Sequence, residues 1–257
     1  MSHIDRSDAD AIAANAEAAM RSAEFYDTLW KDGGSAPDED DLIRLAFILD
    51  SMRRLPLSAD ARILDLGCGS GWMTPHLAKF GRVTALDFLP RAMGRAQEQY
   101  GDHATFALAT PESPGLSREA RAAFDVVVCS EVLEHVPAPS ALLDQAASYL
   151  KGGGWCLLTT PNGNVWPEYR RRFEGRLQPL ENWLTPTALR ELLRDAELEP
   201  VLHEGRVSPS LTLAGSRLLQ HRAAARLFEA LGLGRWYGRA VLPTALYQVV
   251  VARKMRG

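Results

Sequence analysis

The sequence has no run of 18 apolar residues, so no part of it is expected to cross a membrane. Its first 25 residues are acidic and rich in alanine, without the basic start and apolar stretch of a secretory signal, and none is expected there. Only three cysteines occur, Cys68, Cys129 and Cys156, an odd and unclustered set. That argues against a disulfide framework or a cysteine-ligated zinc site and reads as reduced, buried thiols of a cytoplasmic protein. A net charge of −3 leaves no general electrostatic argument for nucleic acid. Internal repeats and low-complexity tracts are also missing. What remains is an ordinary globular composition, 46% hydrophobic and 24% charged over 257 residues. A chain of that length buries a full core, and one α/β domain over 1–257 with helical additions is expected.

The stretch that organises the chain is ILDLGCGSGW, residues 63–72. Asp65, Gly67, Gly69 and Gly71 stand there at every second position. Arg62–Leu66 is short and apolar, as a parallel strand buried on both faces should be. The glycines permit a tight turn and a close backbone approach, because no Cβ stands in the way. A helical pattern then runs from Trp72 to Phe80, with Pro75 in its first turn and Gly81 as its stop. Strand, glycine turn and helix N-terminus together make the nucleotide crevice of an open α/β sheet. Asp87 closes a second apolar run, Val83–Leu86, at about the distance (roughly 20 residues) expected of a carboxylate that meets ribose hydroxyls. A dinucleotide site wants G-x-G-x-x-G around a pyrophosphate. Here the pattern is D-x-G-x-G-x-G, with an acid on the strand and no Lys or Arg in the turn. The acid repels phosphate and can receive an ammonium group.

The rest of the chain alternates strand and helix. Helices are expected over 7–21 and 39–54 before the first strand, as a lid over the ligand or as padding on one sheet face. Pro90–Tyr100 reads as a helix, Thr105–Ala109 as the third strand, and Thr110–Pro111 as the start of a loop. Phe124–Cys129 is the most apolar strand. It runs into SEVLEHV, residues 130–136, and then a helix from Pro139 to Leu150. KGGGW reads as a turn and Trp155–Thr160 as the fifth strand. Thr185 and Pro186 open a further helix; Glu199–Val207 and Leu246–Arg253 are the sixth and seventh strands. The result is a doubly wound, Rossmann-like sheet of seven strands. Between the last two strands lies a basic insert, Ser208–Pro243, holding Arg217, His221, Arg222, Arg226, Arg235 and Arg239, with Leu218, Leu219, Leu227, Phe228 and Leu231 at helical spacing. Such a segment can cover a pocket, form a dimer face or lie on a membrane surface, and a lid over the acceptor pocket is expected first, a peripheral membrane contact second.

The glycine pattern resembles motif I of the class I S-adenosylmethionine-dependent methyltransferases. FDVVVCSEVLEHV, ENWLTPTALRELLRDAEL (181–198) and the upstream DLIRLAFI (41–48) resemble the O-methyltransferases of ubiquinone biosynthesis and their relatives. The resemblance covers about residues 40–200. It implies a mostly parallel sheet whose last strand is antiparallel and inserted beside the fifth. It also implies S-adenosyl-L-methionine as cofactor and methyl transfer to a small-molecule acceptor, most readily at a hydroxyl oxygen. A sugar or lipid-linked glycan acceptor, or a binding protein without activity, are the alternatives. The cofactor set that it implies is Arg44, Asp65, Gly67, Gly69, Gly71, Asp87, Thr110 and Ser130. Arg44 would meet the carboxylate of the cofactor's amino-acid end, Asp65 its ammonium and Asp87 the ribose hydroxyls. The adenine contact falls to Glu112 or to a backbone carbonyl. Glu131, Glu134 and His135 fall at i, i+3 and i+4, so one helical turn would project all three from one face. They would hold a divalent metal, or His135 would be a general base with Glu131 beside it, or the turn would be purely structural.

Overall fold

The computed structural model describes residues 37–109, 115–172, 178–206 and 230–256, with residues 21, 24, 25, 28, 224, 227 and 228 besides. Residues 7–20 of the expected helix at 7–21, Thr110, Glu112, and Arg217, Leu218, Leu219, His221, Arg222 and Arg226 of the insert lie outside those residues.

Asp38 starts the first described helix, α1 (Glu39–Arg54). Its side chain accepts from the Asp41 amide at 2.8 Å, and Asp41 Oδ2 accepts from the Asp38 amide at 2.9 Å. This reciprocal cap satisfies two of the helix's free amide donors. The capped helix turns Leu45, Phe47, Ile48 and Met52 into the protein, where they pack on Ile63, Val126, Val128, Leu157, Val249 and Val251.

The strands follow in order: β1 (Arg62–Leu66), β2 (Arg82–Asp87), β3 (Ala104–Leu108), β4 (Phe124–Ser130), β5 (Leu150–Pro161), β6 (Leu198–Arg206) and β7 (Tyr247–Lys254). They form one sheet of order β3-β2-β1-β4-β5-β7-β6. β1 to β5 pair in parallel, and β7 lies antiparallel between β5 and β6. The strand order reverses between β1 and β4, which opens a crevice at the carboxyl ends of the strands. Helices α2 (Thr74–Leu77), α3 (Pro90–Tyr100), α4 (Pro139–Tyr149), α5 (Trp166–Arg172), α6 (Pro186–Asp195) and α7 (Gly234–Val241) cover the sheet, with 3₁₀ turns at Arg118–Ala120 and Leu133–His135. On the face opposite α1, Leu143, Ala146 and Ala147 of α4 join Leu189 and Leu193 of α6 in the second core.

Two expectations are corrected here. KGGGW is not a turn: β5 begins at Leu150 and runs through it, with a register shift against β4 between Phe124 and Val126. Gly153, at φ 80°, absorbs the irregularity, so a glycine cluster that reads as a stop is a bulged strand. The helix expected over 72–80 shrinks to the four residues of α2: Trp72 and Met73 belong to the bend that Thr74 closes on Gly71, and the chain turns off after Leu77, where the Phe80 amide bonds the Leu77 carbonyl. The described end of the basic insert is also a packed element. α7 lies on β6, with Tyr237 and Val241 buried and Gly238 so close to Glu204 that a Cβ would fall 2.6 Å from its Oε2.

Candidate active site

At the carboxyl ends of β1 and β2 the backbone makes three left-handed steps, at Gly67 (φ 78°), Gly69 (φ 54°) and Gly71 (φ 73°). Such angles favour glycine. Packing adds a second reason at two of them. A Cβ on Gly67 would lie 2.3 Å from Cγ2 of Val132, in the turn after β4, and one on Gly71 would lie 3.0 Å from Cβ of Ala96 on α3. The turn so folded points the Gly69 amide at Asp87 Oδ2, 2.8 Å away. Asp87 Oδ1 accepts from the amides of Phe88 (2.7 Å) and Leu89 (3.0 Å). Asp65 Oδ2 accepts from the Thr74 hydroxyl at 2.8 Å. Both acids are buried. Burial raises the Asp65 carboxyl to about 6, against the bond from Thr74 and with a contribution from the Asp87 charge. Burial raises Asp87 too, opposed by its three backbone donors. Two buried acids with no basic group acting on either among the described residues suit a ligand that brings positive charge and hydroxyl donors. S-adenosylmethionine has both, and no phosphate for the acids to repel.

The facing edge is built around β4 and β5. Ser130 ends β4, and its hydroxyl bonds that of Thr159 at 2.8 Å; Thr159 in turn donates to Glu131 Oε1 at 3.0 Å. Glu131 has φ 56°, an uncommon conformation for a residue with a side chain. Its Oε2 lies 3.9 Å from Arg44 Nη1. Arg44 is buried on α1, paired with Asp41 of its own capping box and laid over the Tyr247 ring, 4.7 Å from the centroid. Burial works against the guanidinium charge, but Glu131, Tyr247 and Asp41 outweigh it and hold Arg44 protonated. Burial raises Glu131 to about 7, opposed first by Arg44.

The expected helical array of Glu131, Glu134 and His135 does not form. Residues 133–135 make a single 3₁₀ turn preceded by the left-handed Glu131. Glu134 accepts from the Thr160 hydroxyl at 3.0 Å, whereas Glu131 is held by Thr159. Adjacent strand residues point to opposite faces, so the two carboxylates are drawn to opposite sides of β5. His135 bonds the Leu180 carbonyl through Nδ1 at 3.1 Å, and its Nε2 stands 3.5 Å from Glu134 Oε1. Burial lowers the imidazole's pKa and raises Glu134 to about 7. Among the described residues no three His, Cys, Asp or Glu side chains come together as a metal site. The donor set therefore does not fit a divalent ion, one of the three alternatives for this turn.

The structure thus gathers Asp65, Gly67, Gly69, Gly71 and Asp87 on one edge and Arg44, Ser130 and Glu131 on the other, joined where Gly67 meets Val132. Sequence reasoning missed Thr74, Thr159, Thr160, Asp41, Tyr247 and Asn182. Asn182 caps the turn by bonding the Glu134 carbonyl at 2.7 Å through its amide and the Val136 carbonyl at 2.6 Å through its side chain. The TTP that ends β5 and the TP that opens α2 were the available signals; nothing local marks Tyr247.

Comparison with known proteins bears on what such a crevice holds. Residues 41–203 match the family model described as a methyltransferase domain. Over 170 residues the chain is 34% identical to a ubiquinone biosynthesis O-methyltransferase of Xanthomonas axonopodis pv. citri (strain 306), covering 61% of this chain and 69% of that one. It is 33% identical over 153 residues to the protein of that name from Xanthomonas oryzae pv. oryzae (strain PXO99A), covering 55% of this chain and 64% of the relative. The match thus spans about two thirds of those relatives' length. The fold is shared with the Burkholderia thailandensis 1,6-didemethyltoxoflavin-N1-methyltransferase, solved with 1,6-didemethyltoxoflavin and S-adenosylhomocysteine (TM-score 0.61, 20% identity, 94% of this chain and 90% of that one). No helix among the described residues is long and apolar enough to cross a membrane. With the glycine turn, Asp87 at the end of β2 and the inserted antiparallel β7 all in place, the chain belongs to the methyltransferase-domain family and is an S-adenosylmethionine-dependent methyltransferase.

Proposed function

We propose that the protein methylates a hydroxyl oxygen of a small-molecule acceptor and that Glu131 takes the acceptor's proton. The observation that carries this is a buried carboxylate, raised to about 7, at the carboxyl end of β4 and next to the glycine turn. The names of the curated relatives agree with oxygen as the acceptor atom.

When bound, S-adenosylmethionine supplies a methyl group on a sulfonium that an oxygen nucleophile can displace. Asp65 and Asp87 would hold its amino-acid and ribose ends, Gly69 and Gly71 keep the turn free of side chains, and Arg44 would receive its carboxylate. Ser130 orients Thr159, and Thr159 orients Glu131 by donating to Oε1, which leaves the other oxygen for the acceptor's O–H. A base near pKa 7 matches a neutral working pH. Its strength is set by the balance of burial against the Arg44 charge. His135 is a poorer base here, since its Nδ1 is spent on Leu180 and burial disfavours its charged form. α1, packed on one face of the sheet, brings Arg44 to the crevice.

The test is incubation with methyl-labelled S-adenosylmethionine and a panel of phenols, alcohols and amines. Label on oxygen, lost in Glu131→Gln while the cofactor still binds, is the expected result. Label on nitrogen only, or full activity of Glu131→Gln, overturns the reading.

A further inference from the structure

We infer that Tyr247 is a positioning residue for methyl transfer: its ring holds the Arg44 guanidinium in place beside Glu131. The inference rests on the reading of Glu131 given above. An arginine side chain is long and turns freely, so what it touches decides where its charge sits. Three described groups act on Arg44. Asp41 pairs with it but belongs to the same helical turn, so it cannot fix the guanidinium relative to the sheet. Glu131 Oε2 stands 3.9 Å from Nη1. The Tyr247 ring, whose centroid is 4.7 Å from the guanidinium carbon, is the contact that ties this charge to β7.

The register of the sheet places that ring next to the support of Glu131. Across β5 and β7, Thr159 faces Val249 and Pro161 faces Tyr247. Residues two apart on a strand share a face. Tyr247 therefore stands one step along the sheet from Thr159, whose hydroxyl bonds Glu131. α1 packs on the same face, over Leu157, Val249 and Val251. Tyr247 meets this helix at two positions one turn apart. Its hydroxyl donates to Asp40 Oδ2 at 3.2 Å, and its ring lies against Arg44, four residues on. Burial and the nearby Glu131 charge raise the phenol, so Tyr247 stays neutral.

The attraction between two charges weakens with distance, so whatever fixes Arg44 also fixes the help that Glu131 receives in losing its proton. The other groups acting on Glu131 are no substitute. Glu134 brings like charge, Thr159 is neutral, and burial lowers the His135 imidazole, which leaves it uncharged at neutral pH. A cation over an aromatic face is held best where water is excluded, and the Arg44 side chain is only 10% exposed. Without the ring the guanidinium is free to leave Glu131, and the carboxyl should then titrate at higher pH.

The test follows the Glu131 carboxyl by carbon-13 NMR from pH 5 to 9. The protein is labelled at its glutamate carboxyl carbons and saturated with S-adenosylhomocysteine, and the signal is the one that disappears in Glu131→Gln. We expect Tyr247→Leu to raise the midpoint by at least about half a pH unit. Tyr247→Phe keeps the ring and should leave it within about 0.2 of the parent. Replacing Tyr247 with trifluorophenylalanine keeps the shape but weakens the ring's hold on a cation, so it should raise the midpoint as well. Methyl transfer to the panel compound that takes label should move along the pH axis by the same amount in each variant. An unchanged midpoint in Tyr247→Leu, or in the fluorinated protein where Tyr247→Leu does not fold, overturns the positioning role. So does an equal rise in Tyr247→Phe. A raised midpoint with an unmoved pH dependence of the rate, or with no labelled product at all, supports the hold of Tyr247 on Arg44 and overturns the functional reading instead.

Discussion

The two edges of the crevice hold their acids by different means. On the β1–β2 edge every partner is near in sequence: Asp87 bonds Gly69, Phe88 and Leu89, and Asp65 bonds Thr74 nine residues on. On the β4–β5 edge the partners come from across the chain. Glu131 depends on Thr159 and Arg44, Glu134 on Thr160, His135 on Leu180, and Tyr247 on Asp40, 207 residues away. The first edge is a local motif, its bonds spanning at most 18 residues. The second is an assembly that exists only once the sheet and α1 are together. We propose that most of the cofactor's contacts belong to the first edge, with Arg44 added from the second, and that the acceptor's proton is removed at the second.

That division predicts separable defects. The largest is expected at Glu131. Glu131→Gln keeps the shape and an oxygen for Thr159 but cannot take a proton, so turnover should fall by roughly 10²–10⁴. Cofactor affinity should stay within a few-fold, and the loss should shrink as pH rises toward the acceptor's own pKa. In the parent protein, activity should rise with pH through about 7, where Glu131 deprotonates. Steady-state rates from pH 5.5 to 9, beside calorimetry with S-adenosylmethionine, check both statements. A large drop in cofactor affinity would mean that the two edges are not separable.

The mirror experiment is Asp87→Asn. One oxygen remains for the turn's amides, but the charge that strengthens hydrogen bonds from ribose hydroxyls is gone. Bonds to a charged group contribute about 1.5–3 kcal/mol, so cofactor affinity should fall roughly 10–100-fold with the fold retained. Asp87→Ala is a less clean choice, because it strands the amides of Gly69, Phe88 and Leu89.

A third effect appears in stability against pH. Glu134 is raised to about 7 from 4.5 by burial. Between those values the folded state holds a proton that the unfolded chain has released. Stability from this group is therefore full below about 4.5 and is lost as pH rises to about 7. Glu134→Gln still accepts from Thr160 and has nothing to titrate. It should unfold at higher urea than the parent at pH 8, by roughly 1–3 kcal/mol, with the difference closing at pH 4. A constant difference across pH would place the effect in packing.

How far the sequence could be read follows the same line. The expected limits of β1, α1 and α3 match the structure, because β1 is a short apolar run, α1 has its own capping box and α3 starts at a proline. So does the link from Asp65 through the glycines to Asp87. SEVLEHV misleads because i, i+3, i+4 spacing presumes a helix, whereas the left-handed Glu131 and the single 3₁₀ turn send the two glutamates to different faces of β5. KGGGW misleads because glycine marks a bulge as readily as a turn. Tyr247 and Asp40 carry no local signal at all: neither is unusual in its own stretch, and only the antiparallel insertion of β7 brings them together.

The smallest expected effect lies where the two edges touch. Gly67 accommodates Val132 so closely that an added Cβ would fall 2.3 Å from Cγ2 and 2.9 Å from Cγ1. Gly67→Ala therefore carries two penalties: a left-handed backbone that alanine disfavours, about 1–2 kcal/mol, and the clash itself, about 1–3 kcal/mol. Val132→Ala removes only the second. Val132 also packs against the Leu133–Leu143 core, so its truncation has a cost of its own. The informative quantity is the coupling in a double-mutant cycle, which cancels that cost. We expect the Gly67→Ala/Val132→Ala pair to be more stable than the sum of the single changes by about 1 kcal/mol, within the range seen for residues in contact. Coupling in cofactor affinity as well as in stability would mean that the β4 turn sets the shape of the glycine turn. Additive behaviour in affinity, with coupling in stability alone, would mean that the edges are packed together but bind their ligands independently.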